Sequence, residues 1–141
     1  QTCALPICEP GGGTTDYAIE IFRAAKEEGQ YECFLRENTF LPMMYMPDAI
    51  DATIALMEAD ASSLTVRTSY NIAAMSFSPK EIASSIQKQI PSFQISYKPD
   101  YRQEIANSWP QSIDDSKARN DWGWKHEFDL DRMTIDMFQN I

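Results

Sequence analysis

The sequence predicts an α/β domain, and two observations lead to this prediction. Apolar residues recur at helical spacing in several segments, and these segments alternate with short apolar runs that are typical of strands. The 141 residues are 43% hydrophobic and 23% charged, which is enough apolar material for one domain with a core. We therefore expect helices and short strands in alternation.

The first predicted helix follows a glycine-rich segment. Residues 10–17 read PGGGTTDY and contain three of the five glycines. Four apolar residues then share one helical face: Ala18, Ile21, Phe22 and Ala25. Gly29 is placed to end this helix, and Thr14 or Thr15 is expected to cap its start.

Two strands, a second helix and a further short strand are predicted next. Residues 31–35 and 41–46 are predicted strands, and Pro47 and Asp48 open a second helix. One face of that helix carries Ile50, Ile54 and Met57. Four methionines are expected to fill the core: Met43, Met44, Met46 and Met57. Residues 69–73 are predicted to form another short strand.

The helix with the clearest signal opens at Ser78. The sequence SPKE is a capping box with proline at the first helical position, and the apolar face that follows is Ile82, Ile86 and Ile90. Residues 93–97 alternate as a strand does. Residues 114–121 and 130–138 are predicted as two final helices, with Gly123 ending the first.

Charge and cysteine content argue against several functional classes. Twelve basic and twenty-one acidic residues give a net charge of −9 without a basic stripe, which argues against nucleic acid or anionic lipid as a partner. No apolar run reaches transmembrane length, so no membrane partner is expected. Cys3, Cys8 and Cys33 have neither metal-ligand nor redox spacing, so we expect reduced thiols and a cytoplasmic location.

Residues 1–8 are predicted to be an artefact or disordered. They have no basic n-region and no apolar core, so they are not a signal peptide. Their sequence QTCALPI is similar to the translation of a common sequencing adaptor, and the chain has no initiating Met. The alternative is a genuine but unusual N-terminal segment.

The glycine-rich segment is the first candidate ligand site. Glycine N–H groups and the positive end of a helix favour a carboxylate or phosphate there. A flexible turn with an ordinary cap is the alternative. These residues alone favour the turn, because the lysine of a phosphate loop is missing and no strand visibly precedes the glycines.

Few other residues offer chemistry. His126 is the only histidine and lies among charged neighbours, so a solvated surface role is expected. Asp114 and Asp115 are expected to serve as helix caps and dipole partners, and Cys33 as a buried strand thiol. Trp109 lies on an irregular segment, where it either covers a ligand or anchors a loop. We predict no catalytic residue and no metal ligand.

Three blocks in order resemble the C-terminal part of the extended short-chain dehydrogenase/reductase superfamily. They are LPMMYMPDAI from Leu41, SYNI from Ser69, and DSKAR with WGW from Asp115. The resemblance covers about residues 9–141 and implies the substrate-binding lobe of a Rossmann-type fold whose N-terminal Rossmann half is missing. That half would carry the dinucleotide loop and a Tyr-x-x-x-Lys pair.

Within the superfamily, residues 10–17, 41–48 and 121–126 resemble the NAD-dependent L-threonine 3-dehydrogenases. The resemblance implies a parent enzyme that oxidises L-threonine to 2-amino-3-oxobutyrate with NAD, using a Tyr assisted by Lys and Ser. None of the six tyrosines here has Lys four residues on, so no catalytic or cofactor-binding residue is assigned, and the chain alone is predicted to be inactive. A homodimer is the expected assembly of the parent.

The resemblance also implies a pocket for a small amino acid. The loop N–H groups with the hydroxyls of Thr14 and Thr15 would hold the substrate carboxylate, and Asp16 would pair with the ammonium. Trp109 would cover the amino acid. For Asp16, stabilisation of the helix dipole is the alternative.

Two other functions remain open from the sequence. The first is a sugar-nucleotide epimerase or dehydratase of the same superfamily. Such members tend to carry Arg-Asp where this chain has Leu41 and Pro42, and losing that Arg removes a diphosphate partner. The second is a non-catalytic binding protein on the same scaffold, which the sequence upstream of this chain would distinguish.

Overall fold

The computed structural model describes residues 4–5 and 11–141, which form five strands and six helices. In chain order these elements are β1 Ala4–Leu5, α1 Tyr17–Glu27, β2 Gln30–Cys33, β3 Leu41–Tyr45, α2 Met46–Glu58, β4 Met75–Phe77, α3 Pro79–Gln89, β5 Gln94–Tyr97, α4 Arg102–Asn107, α5 Ser116–Trp122 and α6 Leu130–Asn140. The predicted α/β class is confirmed.

The described strands form two small sheets. In the first, β3 lies between β1, which runs parallel to it, and β4, which runs antiparallel with Leu41 opposite Phe77. In the second, β2 and β5 pair in parallel with Gln30 opposite Gln94. Each parallel pair joins strands that are distant in sequence, because parallel neighbours require a crossover connection.

Two hydrophobic clusters hold these elements together. The larger cluster lies where α1, α3 and α6 pack around the strands, and its fully buried members include Tyr17, Phe22, Leu41, Phe77, Ile82 and Met133. The smaller cluster joins β3, α2 and α5 through Met44, Ala52, Ala118 and Trp124. Apolar burial of this kind is the main favourable term in folding.

The helix signals with a local cause are confirmed. The four apolar residues predicted for one face of α1 are all buried, and Gly29 follows the helix with a φ of +70°. At α3, Ser78 and Glu81 form both bonds of the capping box. Gly123 ends α5 in the left-handed region with a φ of +73°.

The structure confirms one prediction about buried apolar residues near α2 and contradicts another. Met43 and Met44 are buried as expected, whereas the predicted core role of Met57 is wrong because its side chain is 80% exposed. Ile50 and Ile54 lie on the same outer face and are also exposed. The α2 face that packs inward instead carries small or polar residues, Asp48 and Ala52.

Three further differences concern irregular segments. The strand predicted at 69–73 is wrong, since the ladder with β3 is made by β4 instead. Helix α4 was not predicted. Within residues 1–8, Ala4 and Leu5 form β1, and the others lie outside the described residues; the expectation that this stretch is foreign to the protein stays a prediction.

A buried carboxylate links α2 to the chain before α6. Asp48 is 1% exposed and lies in the first turn of α2. Its Oδ1 accepts a hydrogen bond from the Glu127 N–H at 2.7 Å, and its Oδ2 accepts one from the Phe128 N–H at 3.2 Å. Hydrogen bonds to a charged acceptor are among the stronger ones in proteins.

We expect Asp48→Asn to lower the free energy of unfolding by about 2 kcal/mol, because the amide keeps one acceptor and turns its NH₂ group toward the other backbone donor. Urea denaturation followed by circular dichroism measures the loss. Asp51→Asn, in the same helix but exposed, is the matched control and should change little. Equal losses in the two variants would contradict the role of Asp48.

Burial raises the pKa of the Cys33 thiol to about 11 from an ordinary value of 9.0. The folded state therefore keeps its proton where the unfolded chain loses it, so stability present below pH 9 falls as the pH rises toward 11. In a Cys3→Ser, Cys8→Ser background, Ellman's reagent should label Cys33 slowly at pH 8 and rapidly in 8 M urea. Fast labelling of the folded chain would show that the thiol is accessible.

Candidate functional site

The glycine-rich loop closes on its own aspartate. Asp16 Oδ2 accepts hydrogen bonds from the N–H groups of Gly12 and Gly13, both at 2.7 Å. The loop N–H groups that the sequence offered to a ligand carboxylate are therefore held by a carboxylate of the loop itself. Such successive N–H groups form a natural anion-binding concavity.

Two of the glycines disfavour a larger residue for different reasons. Gly12 has a φ of +90°, a conformation in which an L side chain is strained. A Cβ on Gly13 would lie 3.1 Å from Asp16 Oδ1, which is too close without a shift of the carboxylate. The sequence of the loop is thus matched to the position of Asp16.

The two threonines do not cap α1. Asp16 occupies the N-cap position, in helical backbone conformation and without a side-chain bond to the first turn, so the expected Thr14 or Thr15 cap is wrong. Thr14 is buried and Thr15 is half-buried. Their expected contact with a substrate carboxylate stays a prediction.

Tyr17 connects the loop to the end of β2. Its side chain is fully buried, and its ring meets Phe34 edge to face at a centroid distance of 6.3 Å. Burial, with smaller contributions from Cys33 and Glu81, raises the pKa of Tyr17 well above its usual value. The hydroxyl has no hydrogen-bond partner among the residues that the structure describes.

Trp109 lies two residues beyond α4 and separates two surface cavities. Its N–H donates to the Ala106 carbonyl at 3.1 Å, and its half-buried ring packs against the larger cluster. One cavity, of about 690 Å³, is lined by polar and aromatic side chains that include Tyr97, Gln103 and Asn107. The other, of about 480 Å³, includes Pro42, Asn71 and Asp114. Trp109 belongs to both.

The predicted substrate residues fall into two groups. Thr14, Thr15 and Asp16 lie together in one loop, but none of them lines either cavity beside Trp109. The described residues therefore show the loop and Trp109 as separate parts of a candidate site. Their assignment to substrate stays a prediction for all four.

Helix α4, which leads to Trp109, is fixed at its start by Arg102. The guanidinium lies 3.2 Å from the centre of the Phe34 ring and pairs with Asp100 at 2.7 Å. That pairing holds the pKa of the Asp100 carboxyl below its usual value. Arginine suits this place because its planar group stacks on a ring while its edge binds a carboxylate.

The same helix is fixed along its side by Gln103, which is 3% exposed. Gln103 Oε1 accepts hydrogen bonds from the Arg36 N–H at 2.7 Å and from Thr39 Oγ1 at 3.1 Å. Its Nε2 donates to Asn107 Oδ1 at 2.7 Å. Sequence analysis missed Gln103, since no local pattern indicates a partner 67 residues away.

Asp114 and Asp115 have structural partners. Asp115 lies at the N-cap position of α5 without a side-chain cap bond, so the cap expected of it is wrong, and its Oδ1 pairs instead with Arg119 at 2.7 Å. Asp114 accepts the Ser116 N–H at 2.9 Å, as expected at a helix start. His126 is half-buried with a buried Nδ1, which differs from the solvated surface role expected of it.

Burial is the main cause of a raised pKa in five tyrosines: Tyr17, Tyr31, Tyr45, Tyr70 and Tyr97. A raised pKa keeps the phenol protonated at neutral pH, which disfavours it as a proton acceptor.

Two features are absent from the described part of the chain. No helix there is long and apolar enough to cross a bilayer. No three side chains of His, Cys, Asp or Glu come together there as a metal-ligand set.

Known proteins match almost the whole chain. No family model matches it. Over 130 residues it is 54% identical to the mitochondrial L-threonine 3-dehydrogenase of Bos taurus, covering 92% of this chain and 35% of that protein. The solved L-threonine dehydrogenase of Phytophthora infestans is 56% identical, with a TM-score of 0.92 over 97% of this chain and 45% of that one.

A third match agrees with these two. The GalE-like L-threonine dehydrogenase of Cupriavidus necator, in its apo form, is 61% identical with a TM-score of 0.90, covering 95% of this chain and 48% of that one. The chain therefore spans between about a third and a half of the length of these proteins.

We expect Asp16→Ala to raise the hydrogen-exchange rates of the Gly12 and Gly13 amides about tenfold, because each loses a bond to a charged acceptor. Asp16→Asn keeps an acceptor oxygen and should raise them less. NMR exchange measurements on the chain test this, with the Gly123 amide as internal reference. Unchanged Gly12 and Gly13 rates in Asp16→Ala would show that the carboxylate does not hold the loop.

Proposed function

Because the chain belongs to the extended short-chain dehydrogenase/reductase superfamily, we propose that it is the substrate-binding part of an NAD-dependent L-threonine 3-dehydrogenase. The observation that carries the proposal is the 54–61% identity, over at least 92% of the chain, to proteins named for this activity. The full-length reaction would oxidise the β-hydroxyl of L-threonine to give 2-amino-3-oxobutyrate.

The glycine-rich loop does not fit the pyrophosphate of an NAD cofactor. Its N–H groups are occupied by Asp16, whose negative charge opposes a pyrophosphate at the same place. No hydride or cofactor step is therefore assigned to this chain. We propose that NAD binds to another part of the full-length protein.

The loop geometry supports a role for Asp16 toward the substrate ammonium. The Gly12 and Gly13 N–H groups fix its Oδ2, so the carboxylate keeps one orientation before a ligand arrives. A fixed carboxylate binds an ammonium at lower entropic cost than a mobile one. Thr14 and Thr15 remain our proposed partners for the substrate carboxylate, and Trp109 remains the proposed cover.

The exposed face of α2 supports a larger parent protein. Ile50, Ile54 and Met57 are 52%, 47% and 80% exposed on one side of this helix. An apolar stripe of this kind marks a surface that packs against another protein or another part of the same protein. We propose that the N-terminal half of the full-length protein covers it.

We also propose the partners and the location of the protein. The proposed substrate is a small amino acid, and neither nucleic acid nor a membrane is a proposed partner. The parent is proposed to form a homodimer. Buried, unpaired Cys33 favours a reducing compartment, and we propose the cytoplasm. Subcellular fractionation distinguishes this from the mitochondrial location in the bovine relative's name.

The full-length protein should reduce NAD with L-threonine, and residues 9–141 alone should not. Absorbance at 340 nm measures both. Because epimerisation and dehydration of a nucleotide sugar give no net NADH, chromatography of nucleotide sugars incubated with the full-length protein tests that alternative. Conversion of a nucleotide sugar without oxidation of threonine would refute the assignment. Turnover of threonine by residues 9–141 alone would refute the division between the two halves.

In the full-length enzyme, Asp16→Asn should raise the KM for threonine about tenfold or more, since it removes the charge that pairs with the ammonium and keeps an acceptor for the loop. Steady-state kinetics at saturating NAD measure the change, and exposed Asp51→Asn is the control. An unchanged KM would leave Asp16 as a residue that only holds the loop.

A further inference from the structure

Gln103 joins two segments that are remote in sequence. On one side lies the turn formed by residues 36–39, which the Thr39 N–H closes by donating to the Arg36 carbonyl at 3.1 Å. On the other side lies α4. The Gln103 amide spans the two with three hydrogen bonds while being almost completely buried.

The turn is a firm support because it is also tied to α3. The Lys80 N–H donates to the Glu37 carbonyl at 3.0 Å, and the Lys80 ammonium lies 3.5 Å from the Glu37 carboxylate. Since α3 packs into the larger cluster through Ile82 and Ile86, the bond from the Lys80 N–H anchors the turn to the core.

The Gln103 side chain also binds Asn107, two residues before Trp109. Its Nε2 donates to Asn107 Oδ1, at the last position of α4. From there the chain is held by the Ser108 N–H, which donates to the Ile105 carbonyl, and by the Trp109 N–H. The position of the indole is therefore coupled to the turn through one side chain.

We infer that Gln103 is a positioning residue that fixes Trp109 over the substrate site. The inference rests on the proposed function, in which Trp109 covers the amino acid. Gln103 and Trp109 line the same 690 Å³ cavity, while Trp109 also borders the second one. A displaced bridge would thus move the wall that the two cavities share.

The hydrogen-bond pattern indicates which chemical group is needed at position 103. Oε1 accepts two bonds, so a buried acceptor is essential at this position. Methionine has a similar length and fills the space but is a poor acceptor. Glutamate retains the acceptor oxygen, and Asn107 can turn its NH₂ group toward it.

The first measurement is the environment of Trp109 in the 141-residue chain labelled with 5-fluorotryptophan. Three ¹⁹F resonances are expected, from Trp109, Trp122 and Trp124, and Trp109→Phe assigns the first. Gln103→Met should shift or broaden the Trp109 resonance alone, and Gln103→Glu should restore it. Exposed Glu104→Gln, on the same helix, is the matched control and should leave all three unchanged.

The second measurement is threonine kinetics in the full-length protein. Gln103→Met should raise KM about fivefold, as expected for a lost hydrogen bond, with kcat within about twofold, and Gln103→Glu should recover most of the loss. If Gln103→Met does not fold, Thr39→Val removes one of the two donors to Oε1 and should shift Trp109 in the same direction by less.

The outcomes separate the inference from the proposed function. An unmoved Trp109 resonance in both Gln103→Met and Thr39→Val, or equal shifts of all three tryptophans, overturns the positioning role. A wild-type protein that does not oxidise threonine overturns the proposed function, whatever the ¹⁹F spectra show. A shifted Trp109 resonance with an unchanged KM for threonine overturns the link between the position of Trp109 and substrate binding.

Discussion

The buried carboxylate of Asp48 binds α2 to the segment of chain that runs between the two hydrophobic clusters. It lies between Tyr45, which belongs to the larger cluster, and Ala52, which belongs to the smaller one. The backbone that it binds, at Glu127 and Phe128, runs from Trp124 in the smaller cluster toward α6 in the larger one. A buried carboxylate requires hydrogen-bond donors, so this contact fixes the start of α2 against the backbone of residues 127–128.

The candidate site depends on the same principle of satisfied polar groups. In the glycine-rich loop, the Asp16 carboxylate accepts hydrogen bonds from two N–H groups that would otherwise bind solvent or a ligand. At α4, Gln103 does the equivalent for the Arg36 N–H and for Thr39. Both segments are thus ordered by the chain's own side chains, which means that a ligand finds its contacts already oriented.

Sequence patterns predicted the elements whose causes are local. The capping box at Ser78 and the turn at Gly123 depend on residues within a few positions, so α3 and the end of α5 were predicted correctly. The stripe containing Met57 was misinterpreted because periodicity identifies an apolar face but not what covers it. Helix α4 has six residues, too few for a periodic signal, and Gln103 acts through partners more than sixty positions away.

Two tyrosines link helices to strands through hydrogen bonds to carboxylates. A tyrosine that accepts a proton in catalysis needs a pKa near the working pH, whereas burial raises the pKa of Tyr31 and Tyr45. Their hydroxyls instead donate to carboxylates, Tyr31 to Glu20 and Tyr45 to Asp136, each at 2.7 Å. These bonds stabilise the neutral phenol and hold helices to strands. Tyr31 and Tyr45 therefore serve as structural hydrogen-bond donors that hold α1 and α6 against the strands.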